Sequence, residues 1–268
     1  MIHRSLATAV ATTIGLLLAG CDDSAGDDEP PPIERGQLQE QTLAGGDRTF
    51  LRYVPESYDP ATPAPLVLVM HGQPGSAYAI AGTSGMHEVA EQEGFLVAYP
   101  DDLYDIGLLR DVIEQMSSDL AVAPDRIYAT GFSIGGRLSW QLAMSDSVNI
   151  AAIASMLGPL AGSADRVSSP VSAMQVIGLA DVRWLRPIEA GLAEWREARG
   201  CAEAEPEWVD DQQQVSRSVS ACDRGGELVE YRVEGLPHRW PASLEPGVPT
   251  AQTIWEFFAA HPAPAASG

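Results

Sequence analysis

The chain has 268 residues, of which 45% are apolar, a fraction typical of a globular protein with a sizeable core. Its charge is one-sided, with 16 basic residues against 37 acidic ones and a formal net charge of −21. Proteins that bind nucleic acids use basic residues to displace phosphate counterions, so this balance argues against a nucleic-acid partner. The acidic surface also disfavours anionic substrates through like-charge repulsion.

The N-terminus has the pattern of a bacterial export signal. A short basic start at His3 and Arg4 precedes an uncharged apolar run that is too short to span a bilayer. The run ends in Leu18-Ala19-Gly20-Cys21, which resembles the lipobox of bacterial lipoproteins. We therefore expect a signal peptide over residues 1–20 and a lipid on Cys21. The alternative is an ordinary signal peptide that leaves Cys21 free.

The segment after the signal is polar. Residues 21–41 are rich in Asp, Pro, Gly, Glu and Gln, a composition that cannot bury enough apolar surface to fold. We interpret them as a disordered tether, followed by one folded domain over residues 42–268. No later apolar run reaches membrane length. We expect a monomer that the lipid anchors to a bacterial membrane, with the domain periplasmic or extracellular.

Predicted strands and helices alternate along the domain. Short, strongly apolar runs are typical of strands buried on both faces of a parallel sheet, and longer runs with helical spacing indicate amphipathic helices. In chain order, we predict strands at 49–54 and 66–70, a helix at 85–93, a strand at 95–99, a helix at 105–120, a strand at 127–130, a helix at 134–144, strands at 150–156 and 172–177, a helix at 187–199, a strand at 228–233 and a helix at 250–260. This alternation predicts an α/β fold with a mostly parallel central sheet and helices on both faces.

The most informative motif is Gly131-Phe132-Ser133-Ile134-Gly135. It follows the predicted strand at 127–130 and begins the helix at 134–144, which is the setting of a Gly-x-Ser-x-Gly nucleophile elbow. The serine of such an elbow has a strained backbone in a tight turn, so the positions two residues away must be small. The alternative is an ordinary strand-to-helix turn.

A serine hydroxyl needs a base to act as a nucleophile near pH 7. His238 follows the last predicted strand, and Asp181 directly follows the strand at 172–177. With Ser133, they have the chain order Ser, acid, His that is expected for this kind of site. We expect His238 to be the base and Asp181 to orient it. Three acids that follow no clear strand compete with Asp181, namely Asp165, Asp210 and Asp211.

Ester hydrolysis develops a negative charge on oxygen that needs preorganised N–H donors. We expect the backbone N–H groups of Ile134 and Gln73 to supply them, because one follows the serine and the other lies in the loop after the strand at 66–70. A simple Gly-rich turn is the alternative for that loop. No metal-binding or phosphate-binding motif is present in the sequence, so we expect no metal or cofactor.

Several further stretches resemble one family. They are 65–72, 94–101, 105–108, 125–133, 195–201, Cys222, His238-x-Trp240-Pro241 and 254–258. Together they resemble the polyhydroxybutyrate depolymerase and feruloyl esterase branch of the α/β-hydrolases (carbohydrate esterase family one). The resemblance implies a serine ester hydrolase of α/β-hydrolase fold, with Ser133, Asp181 and His238 as triad and Gln73 and Ile134 as oxyanion donors.

The cysteines agree with an exported protein. If Cys21 carries a lipid, Cys201 and Cys222 remain as an even pair in an oxidising compartment. We expect a disulfide between them, which the resemblance also implies. Two buried free thiols are the alternative.

Two features of the predicted substrate cleft have more than one interpretation. The loop between Asp101 and Asp105 is shorter than is usual in the family, so the cleft could be more open and the substrate class does not carry over. Trp184 and Trp240 are candidates for the cleft wall or the core, whereas core packing is favoured for Trp140.

Two other functions remain alternatives to an esterase. One is a peptidase of the same fold, and the other is a catalytically silent, lipid-anchored binding protein. The presence of Ser133, Asp181 and His238 argues against the silent protein, because binding alone does not require all three.

Overall fold

The computed structural model describes residues 33–102, 105–145, 148–167 and 170–264. The predicted signal peptide, Cys21 and the first part of the predicted tether lie outside the described residues. Within the described residues, no helix combines the length and the hydropathy that a membrane span requires.

Twelve strands and six α-helices lie within these ranges. The strands are β1 (Leu38–Thr42), β2 (Thr49–Tyr53), β3 (Ala64–Met70), β4 (Leu96–Pro100), β5 (Val122–Phe132), β6 (Ala152–Met156), β7 (Ser172–Gly178), β8 (Glu207–Trp208), β9 (Val215–Ala221), β10 (Glu227–Val233), β11 (Ser243–Glu245) and β12 (Val248–Pro249). The helices are α1 (Ala77–Ser84), α2 (Met86–Glu93), α3 (Ile106–Asp119), α4 (Ile134–Ala143), α5 (Leu185–Arg199) and α6 (Thr250–Ala260).

Ten strands form one sheet in the order β1-β2-β4-β3-β5-β6-β7-β10-β9-β8. The six central strands, from β4 to β10, run parallel, and antiparallel strands extend both edges. After β3, the chain passes to β4 on one side and then to β5 on the other. Ligand sites of open α/β sheets lie at such a reversal, beyond the carboxyl ends of the strands.

The sheet is covered on both faces, which explains why its central strands are apolar throughout. Successive side chains of a strand point to opposite faces, and β3 shows this directly. Its Leu66 and Leu68 pack into the core under α3, α4 and α5, whereas Val67 and Val69 pack into the core under α1, α2 and α6. The α/β architecture with helices on both faces is therefore confirmed.

The folded part begins earlier than predicted. Residues 38–41 were expected in the tether, but Leu38–Thr42 forms edge strand β1 and pairs antiparallel with β2. This strand is polar because an edge strand outside the core needs backbone pairing rather than burial of its side chains. For the same reason the exposed strand β8 carries no apolar signal of the kind that predicts a buried strand.

Helix α1 was not predicted because its apolar residues do not follow a clear helical stripe. Its start is nevertheless defined by a cap, since the Ser76 hydroxyl accepts a hydrogen bond from the Ala79 N–H at 3.2 Å. The two small helices α1 and α2 meet at Gly85, which has φ of 67°. Glycine takes this left-handed conformation without the strain of a Cβ.

A disulfide joins Cys201 to Cys222, as expected. It links the segment after α5 to the residue after β9, across 21 positions of sequence. The bond therefore ties a helix on one face of the sheet to its antiparallel edge.

We expect the double variant Cys201→Ser, Cys222→Ser to lose stability but not activity. Closing a loop of this length restricts the unfolded chain, which stabilises the fold by about 3 kcal/mol. For a domain of this size, the melting temperature should fall by roughly 6–12 °C. A reductant should lower the melting temperature of the wild type and leave that of the double variant unchanged. Equal melting temperatures for both proteins without reductant would contradict the prediction.

Candidate active site

Ser133 lies in a sharp turn between β5 and α4, at the centre of the sheet. Its backbone has φ of 56° and ψ of −111°, a conformation that L-residues rarely adopt. The Ser133 N–H donates to the Met156 carbonyl at 2.9 Å, which fixes the turn against neighbouring strand β6. Strain of this kind persists only where the surrounding structure holds it, and it is concentrated at functional sites.

The two glycines of the motif are required by close backbone contacts. A Cβ on Gly131 would lie 2.6 Å from the backbone of Gly135. A Cβ on Gly135 would lie 2.3 Å from the carbonyl oxygen of Met70, at the end of β3. Helix α4 can therefore approach the ends of β3 and β5 only when these positions carry no side chain.

The Gly135→Ala variant should test whether this approach matters for the site. Since the added methyl meets backbone rather than a flexible side chain, the turn must shift, and we expect a loss of about 1–3 kcal/mol in stability. Displacement of the serine should lower kcat/KM roughly 100-fold. Gly82→Ala is the matched control, because its Cβ would meet nothing within 4 Å and its helical position favours alanine. Equal activity of the two variants would contradict the prediction.

Three predicted side chains converge at the carboxyl ends of the strands. The His238 Nε2 lies 2.8 Å from the Ser133 Oγ, and its Nδ1 lies 2.5 Å from the Asp181 Oδ2. Ser133 follows β5, Asp181 lies in the turn after β7, and His238 lies beyond β10. The parallel strands thus bring together residues that are up to 105 positions apart.

The acid of this group is shielded from solvent and doubly engaged. Asp181 is only 3% exposed, and its Oδ1 accepts a hydrogen bond from the Trp184 N–H at 3.3 Å. The other oxygen faces the His238 ring, so the carboxylate has a single orientation. The ring also packs beside Phe132, with the ring centroids 4.8 Å apart. These contacts hold the imidazole in line with the serine.

The other described histidines have different partners. His71 contacts the carbonyls of Gly72 and Asp101, His87 contacts Tyr99, and His261 contacts Phe257 and Glu227. Over the described ranges, no three or more His, Cys, Asp and Glu residues cluster to hold a metal ion.

The two predicted oxyanion donors both lie at the cleft that contains the serine. Gln73 is in the loop after β3 and Ile134 is the first residue of α4, and both line the same cleft as Ser133. The first N–H groups of a helix have no partner within the helix and are suited to hold negative charge. The loop is tightly folded, because a Cβ on Gly75 would lie 2.4 Å from the Gly72 carbonyl oxygen.

His71 supports this loop, a role that sequence reasoning missed. The buried ring lies with Nδ1 2.8 Å from the Gly72 carbonyl and Nε2 3.1 Å from the Asp101 carbonyl. It therefore connects the loop after β3, which carries Gln73, to the loop after β4. The sequence signal for this role is the position of His71 directly after a strand that is predicted to be buried.

The architecture is shared with solved esterases. No family model matches the chain. The acetyl xylan esterase from Aspergillus awamori superposes with a TM-score of 0.68 and 16% sequence identity, covering 84% of this chain and 99% of that one. The chain has the α/β-hydrolase fold. In this chain, the turn between β5 and α4 and the loops after β3, β7 and β10 carry the residues of the candidate site.

Curated relatives are named for ester hydrolysis. "Probable feruloyl esterase C" of Aspergillus terreus (strain NIH 2624 / FGSC A1156) is 27% identical over 282 residues, covering 96% of this chain and 98% of its own. The bifunctional acetylxylan esterase/xylanase XynS20E of Neocallimastix patriciarum is 27% identical over 231 residues. That match covers 80% of this chain and 33% of the larger protein. These relatives support a carboxylic ester hydrolase.

A cleft of about 450 Å³ opens in front of the serine, within the range of small-molecule sites. The residues that line it come from four loops and the start of α4. They are Gln73, Ser133, Ile134, Arg137, Pro159, Asp181, Arg183, Trp184 and His238. The two arginines were not among the sequence-predicted site residues, although each closely follows one of them in the sequence.

The tryptophans divide between cleft and core. Trp184 lines the cleft, with its ring centroid 6.2 Å from that of His238. Trp240 is half-buried and packs against the core under α6, and it is not among the described residues that line the cleft. Trp140 is fully buried and donates to the Gln175 side chain at 2.9 Å, as expected for a core residue. Part of the short loop, residues 103–104, lies outside the described residues.

Proposed function

We propose that the protein is an exported serine ester hydrolase that works by two-step acyl transfer. The observation that carries the proposal is the His238 ring, whose two nitrogens lie 2.8 Å from the Ser133 hydroxyl and 2.5 Å from the Asp181 carboxylate. Relatives named feruloyl esterase and acetylxylan esterase support the same reaction class.

In the first step, His238 Nε2 takes the hydroxyl proton as Ser133 Oγ forms a bond to the ester carbonyl carbon. The resulting oxyanion is held by the backbone N–H groups of Gln73 and Ile134. Asp181 stabilises the imidazolium that has formed. The bond to the alcohol oxygen then breaks, the proton passes from His238 to that oxygen, and an acyl-enzyme remains.

In the second step, His238 takes a proton from water as the water oxygen attacks the acyl carbon. The same N–H groups hold the second oxyanion. The bond to Ser133 Oγ breaks, the proton returns to the serine from His238, and the carboxylic acid leaves. Since His238 alternates between base and acid, the cycle restores the starting state without a metal or cofactor.

The test is covalent labelling with a fluorophosphonate, followed by peptide mass spectrometry, beside hydrolysis of 4-nitrophenyl butyrate. We expect an adduct on Ser133 and a loss of activity in proportion to labelling. Failure of the folded protein to label or to hydrolyse esters would contradict the proposal and favour the binding protein. Faster cleavage of butyryl-4-nitroanilide than of 4-nitrophenyl butyrate would instead favour a peptidase.

The proposed location is the periplasm or cell exterior, with a lipid on Cys21 as anchor. The Cys201–Cys222 disulfide supports an oxidising compartment. In a bacterial host, we expect the protein to incorporate labelled palmitate and the Cys21→Ser variant to incorporate none. Equal labelling of both proteins, or of neither, would contradict the lipid anchor.

A further inference from the structure

The cleft beside Ser133 is positively charged in a strongly acidic protein. Arg137 lies one helical turn after the serine on α4, and Arg183 lies two residues after Asp181. Both line the cleft. Among the described residues that line it, the only acid is Asp181, which is hydrogen-bonded to His238. The described lining therefore holds two guanidinium groups and one carboxylate, and that carboxylate is bonded to His238. Over the whole chain, by contrast, acidic residues outnumber basic ones 37 to 16.

Several arginines of the described structure pair with carboxylates, whereas the two at the cleft do not. Five others pair with carboxylates, namely Arg48, Arg52, Arg110, Arg196 and Arg232. Neither Arg137 nor Arg183 has a carboxylate of any described residue within 4.0 Å. The positive charge of these two guanidinium groups is therefore not paired with a carboxylate of the described residues, and it is available to an anionic group in the cleft.

The orientation of Arg183 is set by an aromatic ring. Its guanidinium lies over the Trp184 ring at 5.0 Å from the centroid, and the Trp184 ring lies 6.2 Å from that of His238. A cation–π contact of this kind acts through the charge of the guanidinium and does not require its N–H groups, which remain available for hydrogen bonds. Those N–H groups match the two oxygens of a carboxylate. Arg183 is thus held beside the reacting centre by an interaction that does not consume its donors.

We propose that the natural substrate is an ester that also carries a carboxylate, and that Arg137 and Arg183 bind this second group. The inference rests on the proposed function and narrows its substrate class. The net charge of the chain predicted the opposite preference. However, screening limits the reach of surface charges to about 8 Å at physiological salt, so the nearest charges decide what binds in the cleft.

The test compares esters that differ only by a carboxylate or a carboxamide. One pair places the group on the acyl side, in the 4-nitrophenyl monoester of adipic acid and the corresponding adipic monoamide ester. The other pair places it on the alcohol side, in 4-acetoxybenzoate and 4-acetoxybenzamide. In at least one pair, we expect kcat/KM to be about tenfold higher for the carboxylate, since two exposed charge-assisted contacts are of this strength. The pair that shows the preference identifies which side of the ester faces the arginines.

The variants Arg137→Gln and Arg183→Gln should each reduce this preference, and the double variant should bring the ratio close to one. Arg110→Gln is the matched control, because it removes the same charge from an exposed position on α3 that does not line the cleft. It should keep the wild-type ratio. Raising the salt concentration should lower the ratio of the wild type.

The outcomes separate this inference from the proposed function. Hydrolysis of all four esters without a carboxylate preference would overturn the inference and leave the esterase standing. A preference that survives in the double variant would also overturn it. No hydrolysis of any of the four, in protein that is folded, would overturn the proposed function and the inference with it.

Discussion

We expect the Ser133→Ala variant to lose roughly 10⁴–10⁶-fold in kcat/KM for any ester that the wild type hydrolyses. In the wild type, His238 Nε2 lies 2.8 Å from the Ser133 Oγ. Removal of this hydroxyl leaves the imidazole with no nucleophile to activate. The residual rate would come from binding and from the N–H groups of Gln73 and Ile134 alone. Labelling by a fluorophosphonate should disappear in the same variant.

The variant should fold normally, because the backbone N–H of Ser133 keeps its bond to Met156 and alanine fits the same space. Equal melting temperatures would therefore assign the loss of activity to chemistry. Ser57→Ala, in an exposed turn far along the chain from the elbow, is the control and should keep full activity. Undiminished hydrolysis by Ser133→Ala would refute the serine mechanism.

The Asp181→Asn variant should lower kcat roughly 10⁴-fold while leaving the fold intact. In the wild type, the Asp181 carboxylate accepts a hydrogen bond from His238 Nδ1–H. The proton is thereby held on Nδ1, and the basic Nε2 faces the serine. In the variant, the amide oxygen is expected to accept from the Trp184 N–H, as Asp181 Oδ1 does, so the amide NH2 faces His238 Nδ1 and donates to it. The ring would then carry its proton on Nε2 and could not act as a base toward the serine. The imidazolium formed during the reaction would also lose its counter-charge, a carboxylate that is buried and therefore little screened by water.

The acids that compete with Asp181 in the sequence supply the controls. Asp165 and Asp211 are exposed and neither contacts His238, whose hydrogen-bonded acid is Asp181. Asp165→Asn and Asp211→Asn should retain activity within about twofold, as is usual for surface positions. If either control loses as much activity as Asp181→Asn, the assignment of the acid would be wrong. If Asp181→Asn remains fully active, the assignment of a catalytic triad would be wrong.

Local motifs made part of the site predictable. The turn at Ser133 requires glycines at positions 131 and 135, because their Cβ atoms would collide with backbone. This requirement is visible as a motif in the sequence. The buried central strands were predictable for a similar reason, since a strand covered on both faces must be apolar throughout, as β3 is.

Elements at the periphery could not be predicted in the same way. Strand β1 is polar, so its composition predicts a tether, whereas its stability comes from pairing with β2 rather than from burial. Helix α1 has a cap at Ser76 but no clear apolar stripe. Such elements depend on partners that are distant in sequence, and local composition does not record those partners.

The sequence alone determined the fold class, the elbow at Ser133 and the order of the three candidate catalytic residues, since each follows from local sterics or from apolar runs. Only the tertiary structure decided that Asp181 and not its competitors meets His238, and that Trp184 rather than Trp240 lines the cleft. It also placed Arg137 and Arg183 at one opening, against the negative charge of the whole chain. The physical reason is that distances across the carboxyl ends of parallel strands depend on strand order, which brings together loops from separate parts of the chain.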